Sequence, residues 1–407
     1  MDCETTTYRI FECIGAVDIL EQDIRDYDPK VLDQLLIDHT MSAKARKEAK
    51  DQKKVVNIFW ATSDYEGQVT DENGSVIEEG YRYADEIKPG NITGVHRRVL
   101  MPRVLKDKKA QLLRTKDKAE VFTPSWVCNA QNNLIDEAWF GRKDVFNTEV
   151  TGTDGTHTWI PTEGKIVFPE GDKQRTWQKY VAENRMEITC GEAPYLVSRY
   201  DTTTGEFIPI GRRIGLLDRK MRVINEHVET EQEWYAMAEK ALKHTYGYEW
   251  QGDSLLLARE AVLYTYIEYF MDKFNAKDQD GRYIKDAAGR LRVPERGKIL
   301  NAARWISWNL WQMDGLKMVV PGTCESAYET DLFVGTVKKD CPACRKGSLT
   351  GHVGVKCLIR DWNKRKDENW KPKEGEDPRS QPWQKIKFNS LLCGQNKETE
   401  DEEPENL

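Results

Sequence analysis

The stretch Met186-Glu187-Ile188-Thr189-Cys190-Gly191-Glu192-Ala193-Pro194-Tyr195-Leu196 decides how the rest of the chain is read. Its apolar, β-branched start predicts a short strand over 186–189, and the small residues behind it predict a tight turn. A strand that stops at such a turn can bring backbone N–H groups close to a ligand. Downstream, the spacing of Trp234, Met237, Ala238, Ala241 and Leu242 predicts an amphipathic helix over 231–244. Tyr246-Gly247-Tyr248-Glu249-Trp250 reads as a second strand. It leads into a helix from Ser254 to about Phe274, apolar nearly all round, with N-cap candidates in Gly252-Asp253-Ser254. A strand, a turn and a buried helix, twice over, predict an α/β sheet domain. Glu249, at the end of the second strand, is placed to accept two hydrogen bonds from a ribose diol.

Working outward, a polar insertion (275–298) precedes the Trp-rich segment Ala302 to Pro321, whose Trp305, Trp308 and Trp311 read as core. Upstream, the first 50 residues and the stretch from Val95 to about Phe140 read as helical, the second with a break at Pro124. Residues 147–175 are rich in Thr and Gly, which predicts turns and short strands; His157 and Trp159 there read as structural. The boundaries drawn are a mostly helical amino-terminal region (1–146), an α/β domain (147–335), a small module with terminal strands (336–392) and an acidic tail (393–407) expected to be disordered.

The 407 residues are 39% apolar and 32% charged, with a net charge of -7 and a mean hydropathy of -0.71. That is core enough for one large domain or two. No apolar run is long enough for a transmembrane helix, and the amino terminus lacks the pattern of a signal peptide. A cytoplasmic location without membrane contact is expected. Nine scattered cysteines then point to thiols or metal ligands rather than a disulfide framework. Six acids lie in the last ten residues, so the remainder is near neutral. Two basic stretches stand out: nine Lys or Arg between Arg97 and Lys118, and five between Arg212 and Arg222. Each suits either phosphate contact or a solvated helix face.

Cys341-Pro342-Ala343-Cys344, then His352, then Cys357 gives C-x2-C-x7-H-x4-C. Four such ligands can close a tetrahedral structural zinc site, with Gly347 and Gly351 letting the intervening loop fold back. Ordinary reduced thiols beside an unrelated histidine are the plain alternative. Neither a P-loop nor a Gly-x-Ser-x-Gly elbow is present.

Residues 186–196 resemble motif I of S-adenosylmethionine-dependent DNA amino-methyltransferases. Ala119-Glu120-Val121-Phe122-Thr123-Pro124 resembles the Phe-Thr-Pro motif that precedes it in the adenine-specific enzymes of restriction–modification systems. Tyr246 to Trp250, followed by Leu255-Leu256-Leu257-Ala258-Arg259-Glu260, resembles motif II. The resemblance covers residues 115–275 and lies nearest to M subunits of such systems. It implies a Rossmann-like methyltransferase domain, S-adenosyl-L-methionine as cofactor, and DNA as partner. Phe122, Thr123 and Pro124 would line the methionine end of the cofactor. The backbone at Cys190, Gly191 and Ala193 would pass beneath its amino-acid part, with Glu187 orienting the turn. Glu249 would bind the ribose hydroxyls and Trp250 would lie beside the adenine. Asp314 stands where a motif III acid would meet the adenine amino group.

The sequence departs from that family in three ways. Ala193 replaces a second glycine, and the gap from Gly191 to Glu249 implies an insertion over roughly 198–235. The third departure concerns catalysis: the family's amine-methylating loop is (Asp/Asn/Ser)-Pro-Pro-aromatic, yet none of the fifteen prolines here follows another. Two accounts compete. Either a second chain carries the catalytic loop and target recognition, and this chain alone methylates nothing, or the chain is a non-catalytic DNA-binding or regulatory protein on a methyltransferase-like scaffold. The end of the sequence, soon after Phe388, favours the first.

Overall fold

The computed structural model describes residues 9–11, 20–49, 55–70, 76–106, 123–325, 328–331, 335–338, 340–365 and 383–391. Its elements in chain order are α1 (Glu21–Tyr27), α2 (Pro29–Leu36), α3 (His39–Ala49), β1 (Gln68–Thr70), β2 (Val76–Glu79), α4 (Ser125–Phe140), β3 (Asn147–Thr151), β4 (His157–Pro161), α5 (Trp177–Val181) and β5 (Arg185–Glu187). There follow α6 (Leu216–His227), α7 (Glu231–Lys243), β6 (Thr245–Glu249), α8 (Gly252–Phe274), α9 (Arg296–Asn309), β7 (Leu310–Gln312), β8 (Tyr328–Asp331), β9 (Gly335–Lys338), α10 (Pro342–Lys346), β10 (Leu358–Arg365) and β11 (Trp383–Lys387). The protein is mixed α/β with small sheets. No helix among the described residues is long and apolar enough to cross a membrane.

Three strands form a parallel sheet in the order β5-β6-β7, with Met186 opposite Tyr246 and Tyr248 opposite Trp311. Each crossover is a helix pair: α6 and α7 between β5 and β6, α8 and α9 between β6 and β7. The central helix α8 is buried over almost its whole length, as its all-round apolar pattern predicts. It begins at Gly252, two residues before the position read from sequence, and Asp253 lies inside its first turn. The other sheets are two-stranded and antiparallel. One apolar core joins Ile24 and Leu35 to Leu196, Leu263, Ile306 and Leu310, running across the boundary drawn at residue 146.

Several readings change. Among the described residues of the stretch 95–140 only α4 is α-helical, and the break read at Pro124 falls just before its first residue. The segment before it makes short 3-10 turns at 94–96 and 103–105. β5 ends at Glu187, so Ile188 and Thr189 belong to the turn.

Three of the five bases in the run 212–222, Arg213, Arg219 and Lys220, are buried rather than turned to a partner. Arg213 and Arg199 are buried against Glu268, at 2.6 and 2.9 Å. Arg219 pairs with Asp136 at 2.6 Å and also binds Asn129 and Asn133 on α4. The buried Lys220 ammonium donates to Glu183 O and His244 O, and burial holds its pKa well below the ordinary lysine value. Arg222 donates to the carbonyls of Phe146 and Thr162. Arg212 is exposed, though its guanidinium donates to Thr158 Oγ1. Arg219, Arg222 and Arg212 tie this segment to α4 and to the hairpin of β3 and β4, and the charges of Arg213, Arg219 and Lys220 lie inside the protein.

Arg259, the arginine after Ala258 in α8, is also buried. It donates to the carbonyls of Leu35, Ile37, Ser307 and Leu310, joining α2 to the start of β7. Trp308 and Trp311 lie in a second apolar cluster with Tyr246, Tyr248 and Trp362, and Trp305 packs against it.

Candidate functional site: a turn beyond the sheet and a Cys3His cluster

Residues distant in sequence converge beyond the carboxyl ends of β5 and β6. Both Glu187 oxygens accept backbone N–H groups, from Tyr195 at 3.3 Å and Leu196 at 3.1 Å, which folds the turn back onto its own strand. Burial raises the Glu187 pKa well above the ordinary value, the two N–H donors pull it down, and Glu249 on the neighbouring strand pushes it further up. Three departures into left-handed backbone make the turn: Thr189 (φ 47°), Gly191 (φ 53°) and Ala193 (φ 64°). The buried Cys190 donates its N–H to Tyr248 O at 2.8 Å and so holds the turn against β6. Ala193 is fully buried, so its methyl packs into the core, away from any ligand above the turn.

Glu249 closes the arrangement. Its carboxylate accepts from Gly191 N at 2.8 Å and from Gln251 N at 3.2 Å. Its pKa is raised by burial against the opposing pull of those two donors. Above Gly191 there is open space: nothing lies within 4 Å of where a side chain would begin.

The other expected residues take varied places. Phe122 lies outside the described residues. The Thr123 carbonyl accepts from Thr202 Oγ1 at 3.1 Å, and the Thr123 side chain lies near that of Tyr195, at the tail of the turn. Pro124 leads into α4, whose Ser125 N–H donates to Asp201 at 2.7 Å. The Trp250 side chain lies near Tyr83, and the Trp250 carbonyl accepts from Gln312 at 2.9 Å.

Asp314 is engaged in its own turn. Its carboxylate accepts from the N–H groups of Leu316 and Lys317 and pairs with the Lys317 ammonium at 3.4 Å. The next residue must be glycine, since a Cβ at Gly315 would lie 2.6 Å from the Tyr248 ring. Two clefts, of about 190 and 380 Å3, are lined by the Trp126–His157 region and the Arg222–Asp272 region, and neither includes the turn or Glu249.

The second constellation can hold a metal ion. Ligand atoms of Cys324, Cys341, Cys344 and His352 all lie within 4.8 Å of one another. Cys357, the fourth ligand expected from spacing, is elsewhere: it is fully buried in the apolar cluster of Trp311, and its thiol donates to Gln312 O at 3.5 Å. Cys324 takes its place because the loop of Pro321 to Cys324 lies against the far side of the knuckle. Gly354 N–H donates to Cys324 Sγ at 3.3 Å, and a Cβ at Gly354 would crowd that sulfur at 2.9 Å. Nothing local in the sequence marks Cys324, which is 17 residues upstream of Cys341.

The donor set fits a tetrahedral ion. His352 Nδ1 is 3.6 Å from Cys341 Sγ and 3.4 Å from Cys344 Sγ. Bonds of about 2.3 Å to sulfur and about 2.0 Å to nitrogen place such atoms roughly 3.5 Å apart in a tetrahedron. His352 Nε2 lies 2.8 Å from Ser348 O, an outer bond that leaves Nδ1 as the inward-facing ligand. Burial opposes ionisation of Cys341, yet the N–H groups of Cys344 and Val353 bring its pKa down to about 6. Four protein ligands leave no open position, so an ion here would be structural.

Compared with known protein families, characterised proteins and solved structures, the chain matches none.

Proposed function

We propose that this chain is the S-adenosylmethionine-binding part of a DNA adenine-N6 methyltransferase of a restriction–modification system, working with a second chain that carries the catalytic loop. The observation that carries this reading is the convergence of the turn of residues 187–195 and Glu249 beyond the carboxyl ends of parallel strands. Open α/β sheets bind ligands at that end. In this reading β5, β6 and β7 are one half of a Rossmann-like sheet. The turn backbone at Cys190, Gly191 and Ala193 lies under the amino-acid part of the cofactor. Glu249 exchanges its N–H partners for the ribose hydroxyls, Trp250 flanks the adenine, and Phe122, Thr123 and Pro124 face the methionine end. The cofactor supplies a sulfonium methyl for direct transfer to an amine, and the protein contributes by positioning the two. DNA contact falls to the basic stretch that begins at Arg97 and Arg98, both exposed. The metal held by Cys324, Cys341, Cys344 and His352 is a structural zinc.

The test is methyl transfer from labelled S-adenosylmethionine to duplex DNA. The expected result is none with this chain alone and transfer once the subunit bearing an Asn-Pro-Pro-Tyr loop is added. Transfer by the chain alone contradicts the two-chain reading. A second reading, a non-catalytic DNA-binding scaffold, draws on Glu249, whose two oxygens are already engaged by Gly191 and Gln251. Failure to methylate in the presence of the second subunit favours it.

A further inference from the structure

We propose that residues 102–106 are a strap across the space between the turn of residues 187–195 and Glu249, held shut by a latch between Lys106 and Asp253, and that a ligand reaches the turn only when the latch opens. The strap is pinned from both sides of that space. At one end the Arg103 N–H donates to Glu192 Oε1 at 2.8 Å, and Glu192 directly follows Gly191 in the turn. At the other, the Lys106 ammonium stands 3.8 Å from Asp253 Oδ2 and donates to the Tyr65 hydroxyl at 3.4 Å. That hydroxyl in turn donates to Asp253 at 2.9 Å. Asp253 lies shortly beyond Glu249, in the first turn of α8. Gly191 and Glu249 are themselves joined at 2.8 Å, so a segment tied to Glu192 and to Asp253 runs alongside that bond.

The local chemistry accounts for this placement. The segment is a 3-10 turn, with Leu105 N–H on Pro102 O and Lys106 N–H on Arg103 O. Side chains three apart eclipse in such a turn, so Arg103 and Lys106 face the same way. Arg103 is buried and the Lys106 side chain is 13% exposed, whereas Leu105 between them is 45% exposed. Two members of the basic stretch 97–118 are thus turned inward onto the rim of the space. The Asp253 carboxylate is buried, and a buried acid needs partners. When Lys106 leaves, Asp253 keeps the Tyr65 hydroxyl and the Ser254 N–H, so the open state stays within reach; this makes the pair a latch and not a fixed strut.

The end of the sheet beneath the strap carries strained backbone. Among the described residues five other than glycine are left-handed, and four of them, Ala61, Thr189, Ala193 and Met318, lie in loops at that end. Ala61 follows Trp60, whose carbonyl accepts the Gly252 N–H at 3.0 Å, and the Met318 N–H donates to Asp314 O at 2.7 Å. Such residues concentrate at ligand clamps and switch segments. That the space takes a ligand rests on the function proposed above; the latch does not.

The experiment follows hydrogen–deuterium exchange in the full chain without ligand, for the parent, Lys106→Met and Tyr65→Phe. Lys106→Met keeps the aliphatic stem and removes the ammonium, while Tyr65→Phe removes only the hydroxyl. The expected result is exchange about tenfold faster in Lys106→Met at residues 105 and 106 and also at Gly191, with a smaller increase at the same sites in Tyr65→Phe. The interior of α8 should exchange as in the parent, which shows that the fold is intact. Where α8 also loosens in Lys106→Met, the result in Tyr65→Phe decides. Faster exchange at 105 and 106 with Gly191 unchanged overturns the proposal, because the segment then covers nothing. No change at these sites in either variant overturns it as well. Stopped-flow mixing with S-adenosylmethionine separates the latch from the function. The association rate should rise about tenfold in Lys106→Met, since opening precedes entry, and an unchanged rate overturns the gate. Absence of binding by parent and variants contradicts the function, and the exchange result then decides the latch by itself.

Discussion

The Glu249 carboxylate accepts the Gly191 backbone N–H at 2.8 Å, joining the end of β6 to a turn 58 residues earlier in the chain. This contact makes the turn and the acid one unit. It also sets what a ligand must do there, since binding a diol at Glu249 means releasing Gly191 N–H toward whatever lies above it.

The strain in that turn is measurable. Thr189 is β-branched, exposed and at φ 47°, a backbone conformation that asparagine tolerates better. Thr189→Asn is expected to stabilise the protein by roughly 0.5–1 kcal/mol, read by denaturant unfolding. A fall in stability would mean that the Thr189 hydroxyl bond to Ile188 O outweighs the strain.

Zinc content separates the cluster found in the structure from the one read from spacing. The purified chain should carry one zinc ion per molecule. Cys324→Ser and Cys341→Ser should release it, while Cys357→Ser keeps it. Chelation should lower the melting temperature, because such an ion binds only the folded chain. Zinc absent from Cys357→Ser and retained in Cys324→Ser would reverse the assignment.

The buried Arg199–Glu268–Arg213 group predicts an acid limit. Burial opposes ionisation of Glu268, but the two guanidiniums prevail and bring its pKa down to about 2. A carboxyl whose folded pKa lies below its unfolded value of about 4.3 contributes stability above that value and loses it as pH falls toward about 2. Melting temperature should therefore drop between about pH 4.5 and about pH 2.5 more steeply in the parent than in Glu268→Gln. Glu268→Ala should cost about 3–5 kcal/mol at neutral pH, because it strands two buried cations.

DNA affinity should fall as salt rises. Neutralising Arg97 and Arg98 together should flatten that dependence by about one unit of log–log slope for each phosphate that is no longer neutralised. Lys220→Met should leave that dependence unchanged, since the Lys220 ammonium is buried and donates to Glu183 O and His244 O. Salt-independent binding, or none, removes DNA from the account.

Local patterning made much of the sheet region legible. The all-round apolar character of α8, the stripe of α7 and the apolar alternation before Gly191 are each set by neighbours within a few residues. What could not be read depended on partners far along the chain. Arg213 and Arg219 look like a solvated basic run until Glu268 and Asp136 arrive from 55 and 83 residues away. Cys324 is an isolated cysteine until Gly354 folds its loop against the knuckle, whereas Cys357 has a ligand's spacing and a core residue's surroundings. The stretch 95–106 has helical spacing of apolar residues, but Pro102 and the bond from Arg103 N–H to Glu192 hold it in short turns.

Cofactor binding is decided by calorimetric titration of the full chain with S-adenosylmethionine, alongside Glu249→Ala. The parent chain should bind, with at least a tenfold weaker affinity in the variant, the equivalent of about 1.4 kcal/mol for hydrogen bonds from a diol to a charged acceptor. Parent and variant binding with equal affinity, or no heat of binding from either, would contradict it.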